Sequence, residues 1–214
     1  MKQKKVILFD LDGTLLNTSL DLQTALHAVQ QQFGLALSSL ERVEESMGHG
    51  IKALVKRNIL DSIDLDEAMH LFEQAYAKAY MHQTVVYPGV LEGLKKLKYL
   101  GYHLAVVSNK EDVYTQRLIQ KHFEGIFDFV LGAKDNVPKK PHPAMLTQAL
   151  AFFDCTKDEA IYVGDTEVDL DSAKAVGMDA LIVSYGYRSF EELCSLNVEP
   201  AQSVVDCFET LSCV

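Results

Sequence analysis

Five short apolar runs recur along this chain, and they limit the folds it can adopt more than any other feature. The runs are VILF at 6–9, LAVVS at 104–108, FDFVLG at 127–132, AIYVG at 160–164 and ALIVS at 180–184. Each is as long as a buried strand and too short for a helix. Because strands that are apolar throughout must be covered on both faces, we expect an α/β fold with a doubly wound, Rossmann-like parallel sheet.

The interval between the first and second runs is too long for one crossover connection and carries a helical pattern of its own. Apolar residues recur with helical spacing over 22–33 and again over 65–80. We therefore predict two units. One is an α/β core made of residues 1–16 and 84–214, and the other is an inserted all-helical cap made of residues 17–83.

Two sequence patterns in the inserted segment predict where helices begin. Ser38 is followed three residues later by Glu41, and Asp64 is followed three residues later by Glu67. Both pairs fit a capping box, in which the first side chain accepts a hydrogen bond from the first turn of the helix. We expect helices to start directly after Ser38 and Asp64.

The charge of the chain restricts its partners. The 214 residues carry a formal net charge of −10. Proteins that bind phosphate backbones or anionic membrane surfaces need clustered Lys and Arg, so neither a nucleic acid nor a membrane is expected as a partner. An anionic small molecule would need a local positive site. A monomer and a homodimer are equally open.

The cysteines and the hydropathy indicate a reducing, aqueous compartment. No C-x-x-C pair and no zinc-type His spacing involves the four cysteines, which are Cys155, Cys194, Cys207 and Cys213, so we expect free thiols. Lys2 and the lysines after it resemble the start of a signal peptide, but the apolar run behind them is too short for one. No stretch approaches the roughly 18 to 20 apolar residues that span a bilayer. We expect a soluble, cytoplasmic protein.

Polar residues stand where the predicted strands end. They are Asp10 and Asp12 after the first run, Ser108 and Asn109 at the end of the second, Lys140 in the loop after the third, and Asp165 and Asp169 after the fourth. In open parallel sheets, ligands bind beyond the C-terminal ends of the strands, so we expect these side chains to converge. Taken alone, Asp12-Gly13 is equally consistent with a tight turn.

This set of side chains suits phosphoryl transfer through a carboxylate. An aspartate can attack phosphorus and carry an aspartyl-phosphate. Mg²⁺ prefers one or two carboxylates together with waters and substrate oxygens, which suits Asp10 and Asp165. Lys140 and the Ser108 hydroxyl can donate hydrogen bonds to phosphoryl oxygens. The residues therefore predict an enzyme that uses Mg²⁺ and acts on a small phosphorylated substrate.

Four motifs in order resemble those of the haloacid dehalogenase-like phosphohydrolases, over nearly the whole chain. The motifs are D-x-D-G-T-L at 10–15, Ser108-Asn109, Lys140-Pro141 and Gly164-Asp165-x-x-x-Asp169. The resemblance implies that Asp10 is the nucleophile and that Asp12 is first the general acid and then the base. Ser108, with Asn109 beside it, and Lys140 would hold the phosphoryl group.

The same resemblance implies a magnesium site. Asp165 would bind the ion together with the Asp10 carboxylate and the main-chain carbonyl of Asp12. Asp169 would orient either a metal-bound water or Lys140.

Within this superfamily the chain is most similar to phosphoglycolate phosphatases with a helical cap. The stretches that carry the likeness are GHG at 48–50, YPGV at 87–90, SNK at 108–110, KKPHP at 139–143 and YGY at 185–187. Asn17-Thr18 departs from the acidic-then-small pair of that branch. The likeness implies a phosphatase of a small metabolite, with 2-phosphoglycolate as the first candidate.

Other functions are compatible with the same residues. A sugar phosphomutase of the β-phosphoglucomutase type forms the same aspartyl-phosphate but returns the group to a sugar, and a pyrophosphatase or nucleotidase shares the fold. A different class would be a phosphoaccepting signalling module or a silent, partner-binding homologue. Signalling receivers are shorter and have no cap, so the inserted segment favours an enzyme.

Several side chains have a structural interpretation beside the functional one. Ser108 could cap the following helix, and Lys140, like Lys139, could lie in an exposed basic loop. His49 lies between two glycines, where a substrate contact and a turn histidine are equally expected. Arg188 could meet a substrate carboxylate, although such an arginine is more often a surface residue.

Overall fold

The secondary structure alternates between short strands and helices in a computed structural model that describes residues 4–214, so Lys2 lies outside the described residues. The strands are β1 Val6–Phe9, β2 Leu16–Asn17, β3 Val85–Val86, β4 His103–Glu111, β5 Phe129–Ala133, β6 Ala160–Gly164 and β7 Asp179–Ile182. The helices are α1 Ser19–Gln32, α2 Leu40–Glu45, α3 Ile51–Arg57, α4 Leu65–Ala79, α5 Val90–Tyr99, α6 Asp112–Phe123, α7 Ala144–Phe152, α8 Glu167–Val176, α9 Phe190–Cys194 and α10 Val204–Leu211. A 3₁₀ turn spans Lys157–Glu159.

Five strands form one parallel sheet in the order β5-β4-β1-β6-β7. β1 lies in the middle, and its last residue, Phe9, is in register with Val106 of β4 and Val163 of β6. Every residue of β1 is buried, as a strand covered on both faces requires. The predicted fold is confirmed. Because β1, β4 and β6 are parallel neighbours, the residues that follow them leave the sheet at one edge.

The described residues separate into two compact units. One contains the residues up to Leu16 together with Val86–Val214, and it holds the five-stranded sheet. The other, Asn17–Val85, contains helices α1 to α4. The short strands β2 and β3 at the two connections pair with each other. That the helical unit acts as a cap stays a prediction.

The helix starts in the helical unit follow the predicted pattern in one case and differ from it in the other. Asp64 is the N-cap of α4 and accepts hydrogen bonds from two N–H groups of its first turn. The cap of α2 is Ser39, so the predicted start at Ser38 is wrong by one residue. The Ser38 hydroxyl is instead engaged in tertiary contacts, since it accepts a hydrogen bond from Gln30 and donates one to Asn58.

The sequence predicts four free thiols and no stretch of apolar residues long enough to span a bilayer. Each of the four cysteines is a free thiol, as predicted. Within residues 4–214, no helix combines the length and the apolar character that crossing a bilayer requires.

Asp21 is a buried anchor of the helical unit. It lies in the first turn of α1 and is fully buried. Its carboxylate accepts hydrogen bonds from the N–H of Gln83 at 2.9 Å, from the N–H of Thr84 at 3.0 Å and from the Thr84 hydroxyl at 2.7 Å. These bonds tie the last residues of the helical unit to its first helix.

Replacing Asp21 with Ala should lower the free energy of unfolding by about 3 kcal/mol, because three donors lose a charged acceptor. Urea denaturation followed by circular dichroism measures the change. Asp61→Ala alters an exposed acid of the same unit and is the matched control, with an expected change below about 0.5 kcal/mol. Equal stabilities of the two variants would show that the Asp21 contacts contribute nothing.

Candidate active site

Asp10 lies directly after β1, at the centre of the sheet edge. Its N–H donates to the Val163 carbonyl at 2.8 Å, which extends the pairing of β1 with β6 by one residue. The side chain is buried. Burial raises the pKa of Asp10 to about 7; Lys140 opposes this shift and Asp169 adds to it. The ionised carboxylate therefore carries charge that its surroundings do not fully neutralise.

Lys140 lies between two acids and is buried with them. Its Nζ is 2.9 Å from Asp10 Oδ1 and 2.8 Å from Asp169 Oδ1, and it donates to the Tyr162 hydroxyl at 2.6 Å. Burial alone would lower the pKa of Lys140, but Asp10 and Asp169 raise it above its ordinary value. The interpretation of Lys140 as part of an exposed basic loop is wrong, whereas Lys139 is exposed.

Asn109 holds the segment that carries Lys140. Its Nδ2 donates to the Lys140 carbonyl at 2.9 Å, and its Oδ1 accepts from the Lys140 N–H at 2.8 Å. This pair of bonds fixes the main chain of Lys140 against the end of β4. The geometry therefore favours a positioning role for Asn109, which acts through Lys140.

Ser108 is buried on β4 beside these residues. Its Oγ accepts a hydrogen bond from the Lys110 N–H at 3.3 Å. The following helix, α6, begins at Asp112 and has Glu111 as its N-cap. The interpretation of Ser108 as a helix cap is therefore wrong, and its hydroxyl lies at the sheet edge with Asn109.

Asp165 follows β6 and is completely buried. Its carboxylate accepts from the Thr14 hydroxyl at 3.0 Å and from the Tyr187 N–H at 2.9 Å. Burial raises the pKa of Asp165 well above its ordinary value, and Asp169 and Asp10 add to the shift. Asp165 and Asp10 therefore both bear incompletely neutralised charge at adjacent strand ends.

Gly13 lets the turn after β1 approach Asp165 closely. Its φ is +89°, in the region that favours glycine, and a Cβ there would lie 2.1 Å from Asp165 Oδ2. Asp12-Gly13 is thus a tight turn, as its composition predicts, and the same turn brings the first strand end against Asp165.

Asp169 lies in the first turn of α8 and makes hydrogen bonds through both oxygens. Oδ2 accepts from the N–H and the hydroxyl of Thr166 at 3.0 and 2.8 Å, which completes a capping box. Oδ1 accepts from Lys140 at 2.8 Å. Burial would raise the pKa of Asp169, but these bonds, with Lys140 the largest, lower it. Of the two roles considered for Asp169, the contacts favour the orientation of Lys140.

The acids of the site form a hard-oxygen donor group. Oxygens of Asp10, Asp165 and Asp169 lie within 4.8 Å of one another. The Asp12 side chain is not part of this group, because both of its oxygens face Lys110 at 3.2 and 3.1 Å. Among the described residues of the site, the four acids carry four formal negative charges, and Lys110 and Lys140 carry two positive ones. The net formal charge of these six residues is therefore −2. Carboxylates with uncompensated charge fit a divalent cation that prefers oxygen ligands.

Two buried residues at the site, Tyr162 and Lys110, were given no role by the sequence analysis. Tyr162, inside the AIYVG strand, places its hydroxyl 3.0 Å from the Val107 carbonyl and 3.1 Å from Asp169 Oδ1. Lys110 lies beyond the predicted end of the second run, because β4 continues to Glu111. The sequence signals for Lys110 were its place in the SNK stretch at 108–110 and its spacing of two from Ser108, which places both side chains on one face of a strand.

Comparison with known proteins decides the family. The family model described as haloacid dehalogenase-like hydrolase matches residues 7–183, a range that includes every candidate site residue from Asp10 to Asp169. The chain belongs to the haloacid dehalogenase-like hydrolase family. The predicted family is therefore confirmed, and so is the prediction of a hydrolytic enzyme.

Relatives of this hydrolase match along most of their length. A phosphoglycolate phosphatase from Nitrosospira multiformis is 35% identical over 203 residues, which cover 91% of this chain and 89% of that protein. One from Psychrobacter arcticus is 33% identical over 205 residues, with coverage of 91% and 89%. A solved structure of a candidate phosphoglycolate phosphatase from Lactobacillus delbrueckii subsp. bulgaricus has a TM-score of 0.88 at 30% identity, covering 99% of this chain and 98% of that one.

The sequence left the roles of two further residues of this haloacid dehalogenase-like hydrolase undecided, Arg188 and His49. Arg188 is only 8% exposed and pairs with Glu167, with Nε–Oε2 and Nη2–Oε1 distances of 2.9 and 3.2 Å. The expectation of a surface arginine is therefore wrong. His49 lies in the helical unit between Gly48 and Gly50, both at positive φ, which fits a turn; a substrate contact of His49 stays a prediction.

Proposed function

We propose that this hydrolase is a Mg²⁺-dependent phosphatase of a small phosphorylated metabolite, and that 2-phosphoglycolate is its first candidate substrate. The observation that carries the proposal is the buried placement of Asp10 and Asp165 at neighbouring strand ends, with Lys140 Nζ buried 2.9 Å from Asp10 Oδ1. The names of the relatives from Nitrosospira multiformis and Psychrobacter arcticus support the substrate. The cytoplasmic location and the choice between monomer and homodimer stay predictions.

In the proposed reaction an Asp10 oxygen attacks phosphorus while the ester P–O bond breaks. Asp12 gives a proton to the departing oxygen, so the products of the first step are an alcohol and an aspartyl-phosphate on Asp10. In the second step water attacks phosphorus, the bond to Asp10 breaks, and Asp12 takes a proton from that water. Ser108 and Lys140 donate hydrogen bonds to the phosphoryl oxygens throughout.

The donor set indicates which residues would hold Mg²⁺. The carboxylates of Asp10 and Asp165 have raised pKa values. The Asp12 main-chain carbonyl lies on the turn that follows Asp10. Asp169 belongs to the same group of acids, and its bonds to Lys140 and Thr166 support a role in orienting Lys140. Bound Mg²⁺ would offset the repulsion between the carboxylates and a phosphate dianion.

Removing the metal should abolish turnover. The purified protein is assayed for phosphate release from 2-phosphoglycolate and a panel of other phosphate esters, with Mg²⁺ and with excess chelator.

Ca²⁺ should inhibit, because its looser coordination by six to eight ligands could engage both oxygens of Asp10, including the one that attacks. Full activity in excess chelator would contradict the metal assignment, and a phosphorylated sugar product without free phosphate would indicate a phosphomutase.

A further inference from the structure

Lys110 is a buried cation to which the proposed reaction assigns no role. Its side chain is only 1% exposed. Its Nζ lies 3.2 Å from Asp12 Oδ1 and 3.1 Å from Asp12 Oδ2, so the ammonium group faces both oxygens of one carboxylate almost symmetrically. The Asp12 side chain is 14% exposed, which leaves this ion pair mostly out of water.

Lys110 lies on β4, and this strand determines the position from which the Lys110 side chain extends. β4 continues past Ser108 to Glu111, and its register with β5 shifts between Val107 and Glu111. Irregularities of this kind redirect side chains at the ends of strands. The Lys110 N–H donates to Ser108 Oγ, so its main chain is attached to the residue proposed to hold the phosphoryl group.

The ion pair separates Asp12 from the other acids of the site. Asp10, Asp165 and Asp169 share one group of oxygens, and the Asp12 carboxylate is directed to Lys110 instead. A carboxylate with one cation near both oxygens has a restricted orientation, because rotation would lengthen at least one contact in a region of low dielectric. The orientation of a proton donor controls its efficiency, and a misplacement of 1 Å can cost about 10²-fold in rate.

We propose that Lys110 is a positioning residue that holds the Asp12 carboxyl group in the orientation needed for proton transfer. This inference rests on the proposed function. Asp12 donates the proton to the leaving oxygen in the first step and accepts one from water in the second, while Lys110 keeps its own protons in both. Lys110 therefore acts only where Asp12 acts.

The test compares Lys110→Gln with wild type on phosphate monoesters whose leaving groups range from p-nitrophenolate to an alkoxide. An alkyl ester needs protonation of its leaving oxygen, so its turnover should fall about 10²-fold. The nitrophenol burst, which needs no proton from Asp12, should stay within about threefold of wild type. Lys139→Gln, at an exposed lysine, is the matched control and should change neither rate.

A second variant keeps the test decisive if Lys110→Gln folds poorly. Asp12→Asn/Lys110→Gln removes both charges of the ion pair together. Its rates on both esters should lie within about twofold of those of Asp12→Asn alone, because a residue that acts through Asp12 has no effect once Asp12 is gone. A further loss of tenfold or more would overturn the proposal.

The remaining outcomes separate this inference from the proposed function. An equal fall in the rate of phosphoenzyme formation from all esters in Lys110→Gln, p-nitrophenyl phosphate included, with weaker inhibition by inorganic phosphate, would place Lys110 on the phosphoryl group and overturn the positioning role. Undiminished turnover of alkyl esters would overturn it as well. If the wild-type protein released no phosphate from any ester, the proposed function itself would fail, and this inference with it.

Discussion

The Asp12→Asn variant should release about one nitrophenol per active site from p-nitrophenyl phosphate in a rapid burst and then turn over slowly. The nitrophenolate leaves without protonation, so Asp10 can still form the aspartyl-phosphate. Hydrolysis of that intermediate needs Asp12 as a base, and general base catalysis typically contributes about 10²- to 10⁴-fold. The steady-state rate should fall within that range, measured by stopped-flow absorbance.

The Asp10→Asn variant is the counterpart, and it should show neither the burst nor the slow phase. Asn is nearly isosteric with Asp, and circular dichroism establishes that both variants remain folded. Turnover by Asp10→Asn would exclude Asp10 as the nucleophile. A folded Asp12→Asn protein without a burst would show that the first step needs Asp12 even when the leaving group requires no proton, contrary to the proposed acid and base role.

Replacing Lys140 with Met should destabilise the protein by about 3–5 kcal/mol in excess chelator, since it leaves buried carboxylates without their cation. Lys140 touches both Asp10 and Asp169, so one substitution removes two ion pairs. Tyr162→Phe removes only the hydroxyl that accepts from Lys140 and should cost about 1–3 kcal/mol. Lys139→Met is the control at an exposed lysine. Urea denaturation gives all three values.

The loss in Lys140→Met should be greater at pH 7.5 than at pH 5. Asp10 in the folded protein has a pKa of about 7, above its ordinary value of 3.8, so between these values the folded state binds more protons than the unfolded state. Its contribution to stability is present at low pH and is lost as the pH rises toward 7. Lys140 opposes this shift, so its removal should steepen the fall. A loss independent of pH would show that the cost comes from packing instead of charge.

The sheet could be predicted from the sequence because its strands are short, apolar throughout and separated by helical segments. Burial on both faces disfavours a charged residue inside β1 or β6, and neither strand contains one, so the first acid after each run marks the strand end. This local rule predicted Asp10 and Asp165 at neighbouring ends of a parallel sheet. The order of the motifs then predicted the family, which the comparison confirms.

Burial of single side chains was less predictable. Arg188, for which a surface position was the commoner expectation, is instead buried and pairs with the partly exposed Glu167. Asp64 caps its helix as predicted, and Ser38 does not. The cap at Asp64 depends only on contacts within one helical turn, so the neighbouring residues are enough to predict it. The Ser38 hydroxyl makes hydrogen bonds with Gln30 and Asn58 instead of capping the helix. These partners lie 8 and 20 residues away, so the residues next to Ser38 do not predict them.

The sheet, the inserted helical segment and the set of acids at the strand ends could be predicted because they depend on periodicity and on the residue after each apolar run. Which cation meets which acid depends instead on how the folded chain packs. Lys110 reaches Asp12 across 98 residues, and Lys140 reaches Asp169 across 29. Such pairs form because burial makes an unpaired charge costly, and the partner is whichever group the packed sheet edge brings within reach.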